Sequence, residues 1–442
     1  MKVDAHQAIT LELALSSAGH PFPRLSKLVT HCADRSFPVR IRTDTTGFSI
    51  AILDITLTAC GNIHLIEANG SNGGLTSIAA GHDGARASHM ALTFDSKEKP
   101  AQSVAVLLPF KPGFMHLAEF FARAHLFATL ISKTYQARLC LPNEDVGNEQ
   151  VSIVCGTIPA VADGIERIGH QLLFQGRTVA FACNPNLLPE LARRSIIAAH
   201  DGFYDIDPSI FHEGRLVPLI HDKGAQQVVS GGTGITPLEY SLAWSFEECL
   251  AVIRTFHEKG KVAVGKMNAG SGAAGISFFP PALSTAAIRT SLKGLFRSAE
   301  AAHGRNVAKT VFPVRFFEFA RSSDFLINGR QHLWDIRMLC LIYPTFVEVT
   351  PCLIRICPAP FDGSVYDRDS VVSNLTGRKP SLQWVRSAFD RSAWQVLGID
   401  ARVLTSMATA CARWCESAWK WECRGPLWGS SMNGTQAVTG KR

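Results

Sequence analysis

An aspartate, a glutamate and an asparagine near residue 60 have the types and spacing to hold a divalent cation. They are Asp54, Glu67 and Asn69, in the stretch FSIAILDITLTACGNIHLIEANG that begins at Phe48. Magnesium takes hard oxygen ligands, commonly one or two carboxylates completed by water and nucleotide phosphates. The asparagine amide adds an oxygen without adding charge. Residues 48–57 alternate, so Phe48, Ile50, Ile52 and Asp54 share one strand face, and residues 63–69 likewise put Ile63, Leu65, Glu67 and Asn69 on one face. A two-residue turn at Cys60-Gly61 sets Asp54 directly opposite Glu67. Like charges about 5 Å apart across a hairpin repel each other, and a cation between them removes the repulsion. The alternative is a rim hairpin whose acids point into solvent.

A second set of residues suits phosphate. Asp222-Lys223 opens a helix, Gly234-Ile235-Thr236-Pro237 makes a turn, and the strand at 261–266 ends on Lys266. Asn268-Ala269-Gly270-Ser271-Gly272-Ala273-Ala274-Gly275 follows. A Gly/Ser-rich loop brings backbone N–H groups against phosphate oxygens, and a strand lysine beside it adds a point charge. No Gly-Lys-Ser/Thr closes the loop, so it is not a Walker loop. Further on, Asp335 and Arg337 share a strand face inside an apolar run, with Arg355 on the next strand. A buried arginine stays charged and needs a carboxylate or a phosphate. Either a phosphate meets these arginines or Asp335–Arg337 and Glu348–Arg355 are internal ion pairs.

IHLIEANGSNG resembles the last strand of the ATP-grasp superfamily, and the ordered set from Asp222-Lys223 to Gly275 resembles that family's lid region. The resemblance implies ATP and Mg²⁺ as cofactors, with Asp54, Glu67 and Asn69 on the metal. Lys223, Lys266, Gly270, Ser271, Gly272 and Gly275 would sit at the phosphates, and Glu318, at a hinge, on the ribose or adenine. Arg337 would reach the transferred phosphoryl group, and Arg355 a carboxylate or acyl phosphate. The implied reaction is ATP-dependent ligation of a small-molecule or peptide carboxylate to an amine. The alternatives are an inactive ATP-binding regulatory subunit, another phosphotransferase or acid–thiol ligase, and a Rossmann-type binding module. The motifs stand out of the family's order, since the metal hairpin precedes everything else. A circular permutation explains this, against an unrelated N-terminal module or a site completed by another subunit.

Elements must carry these residues to one place. Residues 1–95 hold two short helices (8–17 and 25–32), the hairpin and a capped helix near 81–90, and a polar stretch at 95–102 reads as a linker. Residues 103–215 alternate apolar strands (104–110, 137–141, 151–155, 179–182) with helices (115–133, 160–169, 187–194), a parallel sheet covered on both faces. Its layout is Rossmann-like without the glycine fingerprint of NAD binding. Residues 184–186, Asn-Pro-Asn, resemble the small domain that precedes the grasp in related ligases. Residues 216–424 hold the nucleotide region, with a strand at 371–374 and helices at 382–396 and 401–421, and 425–442 read as a disordered tail. The fold class is therefore mixed α/β and α+β.

Composition fits an intracellular, cytoplasmic protein. Net charge is +7, from 44 Lys and Arg against 37 Asp and Glu, with no basic run for nucleic acid. No apolar stretch spans a membrane. The 12 cysteines are scattered, several in apolar runs, which fits reduced core thiols better than disulfides or zinc. Oligomeric state stays open, a homo-oligomer included.

Overall fold

The computed structural model describes residues 39–45, 49–69, 103–110, 135–182, 187–200, 203–206, 210, 216, 219, 222–267, 275–303, 313–373, 385–387, 394 and 397–421. The helices expected at 8–17, 25–32, 81–90 and 115–133 lie outside them, as do the 95–102 linker, Asn184-Pro185-Asn186, loop 268–274 and the tail. Among the described residues no helix is long and apolar enough to cross a membrane.

The largest antiparallel sheet joins residues 39–69 to residues 334–387. Its strands run Val39–Arg42, Phe346–Ile356, Trp334–Ile342, Ser49–Leu57 and Ile63–Asn69 in spatial order, with Val385–Ser387 also paired to 353–355. The N-terminal hairpin thus belongs to the same sheet, in the same chain, as residues 334–356. One sheet face is apolar: Ala51, Leu53, Ile55, Ile336, Met338, Cys340, Ile342 and Val349 pack against helix Ala401–Lys420. That helix buries a stripe of Leu404, Met407, Ala408, Cys411, Trp414, Cys415 and Ala418, the spacing of one helical face. Asp400 caps its start by accepting from the Val403 amide at 2.8 Å. Burying each large apolar side chain contributes about 1.5–3 kcal/mol. Trp414 and Trp419 belong to this packing.

Helix Lys223–Ser230 is fastened to the hairpin through two buried glutamines. Gln226 Nε2 donates to the Ala68 carbonyl at 3.0 Å and its Oε1 accepts from the Ala68 amide at 2.9 Å. Gln227 Nε2 donates to the Leu65 carbonyl at 3.0 Å. Backbone groups on the hairpin's outer edge are satisfied this way instead of by another strand.

A second antiparallel sheet, of order Tyr240–Ala243, Val314–Glu318, Ala263–Lys266 and Ile276–Phe279, carries Lys266. Helices Phe246–Glu258 and Thr285–His303 cover the face bearing Phe316, Phe279 and Ala263. Ser245 caps the first by accepting from the Glu248 amide, while the Glu248 carboxylate accepts from the Trp244 amide. Lys266 and Arg315 are directly opposite each other, so their side chains leave the other face together.

The third sheet has order Ala137–Cys140, Val151–Thr157, Val104–Phe110, Arg177–Ala182, Gln171–Phe174 and Ile165–Ile168. Its first four strands are parallel, as expected. The helix expected over 160–169 stops at Asp163, and Ile165–Ile168 instead turns into a hairpin. Gly164 ends the helix, and the branched Ile165 and Ile168 favour a pleated strand. Two further expectations fail. Val385–Ser387 is a strand where a helix over 382–396 was expected, because the strand at 353–355 offers it a ladder. Residues 368–371 form a helical turn where a strand from 371 was expected, held by Asp367 Oδ1 accepting from the Asp369 and Ser370 amides.

Candidate active site

The hairpin places its acids through two departures from ideal geometry. Leu57 pairs with Ile63, so the connection is Thr58–Asn62 and not a two-residue turn at Cys60-Gly61. Gly61 takes φ +84, and the Thr58 carbonyl accepts from its amide. The register then slips by one, because Ile55 pairs with Leu65 while Asp54 pairs with Glu67. Ile66 is the unpaired residue of a β-bulge. Ile63 and Leu65 accordingly lie in the core with Ile55, and Glu67 and Asn69 emerge on Asp54's face. This corrects the expectation that Ile63, Leu65, Glu67 and Asn69 share a face. A bulge re-aims the side chains beyond it.

Asp54 is the hub, with its side chain 3% exposed. Arg337 donates to both of its oxygens, from Nε at 2.7 Å and Nη2 at 2.9 Å. Arg355 Nη2 reaches Asp54 Oδ2 at 2.9 Å, and Asn69 Nδ2 donates to the same oxygen at 3.3 Å. Burial opposes the charge on Asp54, but the two guanidiniums outweigh it and hold the carboxyl at about 2. Arg355 is itself forked onto Asp335, by Nε at 2.7 Å and Nη2 at 2.8 Å, and Ser373 Oγ donates to Asp335 Oδ2. Burial works against the charge of Arg355, and the carboxylates of Asp335 and Asp54 overcome it. Arg355 is thus committed to two internal carboxylates, not to the substrate carboxylate expected of it. Neither expected internal pair forms: Asp335 pairs with Arg355 and not Arg337, and Glu348 pairs with Arg40.

Two lysines approach from other elements. Lys223 begins its helix just after the capping Asp222, and its ammonium donates to Glu67 Oε1 at 2.6 Å. Lys266, on the second sheet, lies 5.3 Å above the Phe317 ring and within electrostatic reach of Lys223, Glu67 and Asp54. Burial, reinforced by the charge of Lys223, brings its ammonium down to about 8. Burial works against ionised Glu67, yet Lys223 and Lys266 lower its pKa. Gly275, at φ +72, accepts from the Met267 amide at 3.1 Å and closes the neck of the glycine loop. Gly270, Ser271 and Gly272 lie outside the described residues.

Glu318 does not join this cluster. It pairs with Ala263, so strand parity turns it away from Lys266, and it bonds Lys261 at 3.0 Å. Arg315 is a residue that sequence reasoning passed over. It is 3% exposed, opposite Lys266, and reaches Asp222 Oδ1 at 3.4 Å. An arginine in the apolar run VRFFEF is the same signal that singled out Arg337.

The arrangement suits a polyphosphate with its cation in a restricted way. Asp54 and Asp335 match Arg337 and Arg355, leaving Lys223 and Lys266 facing Glu67 alone, one positive charge in surplus. Asp54 already receives four donor bonds, so it does not fit as a direct metal ligand. Glu67 and Asn69 do fit, because both are half-buried and Asn69 spends its nitrogen on Asp54, leaving its oxygen available. Among the described residues no three His, Cys, Asp or Glu side chains cluster to hold a metal alone. A cation here would depend on phosphate oxygens and water, as magnesium commonly does.

No protein-family model matches this chain, and no curated protein matches it. Among solved structures it is similar to a "putative gamma-glutamylcysteine synthetase" from Methylobacillus flagellatus KT. Identity is 10%, the match covers 94% of this chain and 95% of that one, and the TM-score is 0.38. At that score the likeness carries no functional weight.

Proposed function

We propose that the chain is an ATP-dependent carboxylate–amine ligase with a circularly permuted ATP-grasp fold. The observation that carries this is convergence. Asp54, Glu67, Asn69, Lys223, Lys266 and Arg337 come from separate stretches of sequence and meet on facing surfaces of two sheets and one helix. The substrate carboxylate attacks the γ-phosphorus of ATP, and the bond to the bridging oxygen breaks to release ADP. An amine then displaces phosphate from the acyl phosphate to give the amide. Lys223 and Lys266 hold phosphate oxygens, and Arg337 offsets charge on the moving phosphoryl group. Such catalysis gains mostly from alignment and electrostatics. Mg²⁺, held by Glu67 and Asn69, supplies charge neutralisation.

The saturation of Asp54 supports a second reading, a nucleotide-binding regulator without turnover. ATP binding and ADP release measured with and without Mg²⁺, on wild type and Glu67→Ala, separate the two. A ligase loses Mg-dependent ADP release in the variant; a regulator binds ATP and releases no ADP in either form. Wild type that binds no ATP sinks both.

A further inference from the structure

We infer that Asp335 and Ser373 are positioning residues that set the direction of Arg337 through Arg355 and Asp54. The inference rests on the ligase reading for what Arg337 touches, and on the observed bonds for the rest.

The four charged groups alternate in sign across three neighbouring strands. Asp335 and Arg337 lie two apart on the central strand, Arg355 is opposite Asp335 on one side, and Asp54 is opposite Arg337 on the other. Each of these opposite pairs is a two-bond fork, and Arg355 Nη2 links the two forks through Asp54 Oδ2. A planar guanidinium on a carboxylate fixes angle as well as distance, so orientation passes along the chain of forks. Ser373 fixes the far end through its bond to Asp335. Exposure is 8% for the Asp335 side chain, 7% for Arg355, 3% for Asp54 and 12% for Arg337. The most exposed of the four, Arg337, is the one the others aim.

Stability alone does not account for the quartet. Buried ion pairs are often replaceable by apolar side chains at no loss. The same sheet face does so one pair further along: Ile50, Ile52, Leu339 and Leu341 are all buried there. The other buried charge on this face, Glu348, is answered by an arginine that is 67% exposed; the wholly internal quartet lies at the end of the sheet where Glu67, Lys223 and Lys266 meet.

The test uses the full chain with Mg²⁺ and ADP, titrated with and without aluminium fluoride, which with ADP mimics a phosphoryl group in flight. Transition-state mimics bind at least about 100-fold tighter than ground-state ligands, so wild type should gain that factor. Asp335→Asn should leave ADP affinity within about twofold and reduce the aluminium fluoride gain by about 10- to 100-fold, the cost of a misaligned group. Asp335→Glu should recover part of the gain. Ser373→Ala, which loses one hydroxyl, should shift it the same way by less and carries the test if Asp335→Asn does not fold. A full gain in both Asp335→Asn and Ser373→Ala overturns the inference, and so does an equal loss of ADP affinity and gain, which marks a merely structural role. Wild type that fails to bind ADP refutes the ligase reading itself, a separate outcome.

Discussion

Replacing Asp54 by Asn keeps the shape of the hub and removes its charge. Removing one partner of a buried ion pair costs about 3–5 kcal/mol, because the other charge is left uncompensated. Arg355 keeps Asp335 while Arg337 loses its two-bond fork to Asp54, and the lower end of that range applies. A second route gives a similar size. The Asp54 carboxyl stands at about 2 against an ordinary 3.8, and at roughly 1.4 kcal/mol per unit the gap is about 2 kcal/mol. The sign follows from the depressed value: the stabilisation is complete above 3.8 and is lost as pH falls through about 2. Urea unfolding followed by tryptophan fluorescence reads it, since Trp334 and Trp414 are buried in the core beneath the hub. Asp54→Asn should lose about 2–4 kcal/mol at neutral pH, with the difference narrowing towards about pH 3. A loss under about 1 kcal/mol, the worth of a solvated surface pair, would refute the buried hub, and so would a pH-independent one.

Three further outcomes follow from the same geometry. Because Lys266 loses its proton around 8, ADP affinity measured by calorimetry should fall as pH rises through that value, and Lys266→Arg should flatten the fall. Deleting Ile66 removes the bulge yet leaves Leu65 opposite Ile55 and Glu67 opposite Asp54, so the urea midpoint should move little; a collapse of the midpoint would show that the bulge itself is needed. Gln226→Leu leaves the Ala68 N–H and C=O without their partner, about 1–3 kcal/mol each, and hydrogen exchange at the Ala68 amide should quicken relative to wild type.

Sequence pattern was most informative where chemistry conflicted with its surroundings. Two acids facing each other in an apolar hairpin were legible, and Asp54 does pair with Glu67. The route to that pairing was not: the turn is longer than expected and the bulge restores the count, so two local departures cancel. Nothing in the alternation of 63–69 marks Ile66 as the extra residue. Buried arginines were legible as a demand for anions, but their partners were not. Residues two apart on a strand are separated by about 6.6 Å along it, whereas opposite residues on paired strands are about 5 Å apart. Arg337 therefore turned to Asp54, 283 positions away, a distance that no local pattern spans. Ser373 gave no signal, since only the folded chain brings it to Asp335.

The central strand at 334–342 takes one neighbour from the strand just after it and the other from residues 49–57, far earlier in the chain, and that has a cost in time. A ribosome adding about 5–20 residues per second takes on the order of 15–60 s to supply Arg337 after Asp54. Through that interval the 49–57 strand has its hairpin partner on one edge and no native neighbour on the other, a row of open N–H and C=O groups flanked by Ile50, Ile52, Leu53 and Ile55. Such an edge is a template for intermolecular pairing. Asp54, still unneutralised then, gives that edge a charge that disfavours stacking against a second copy.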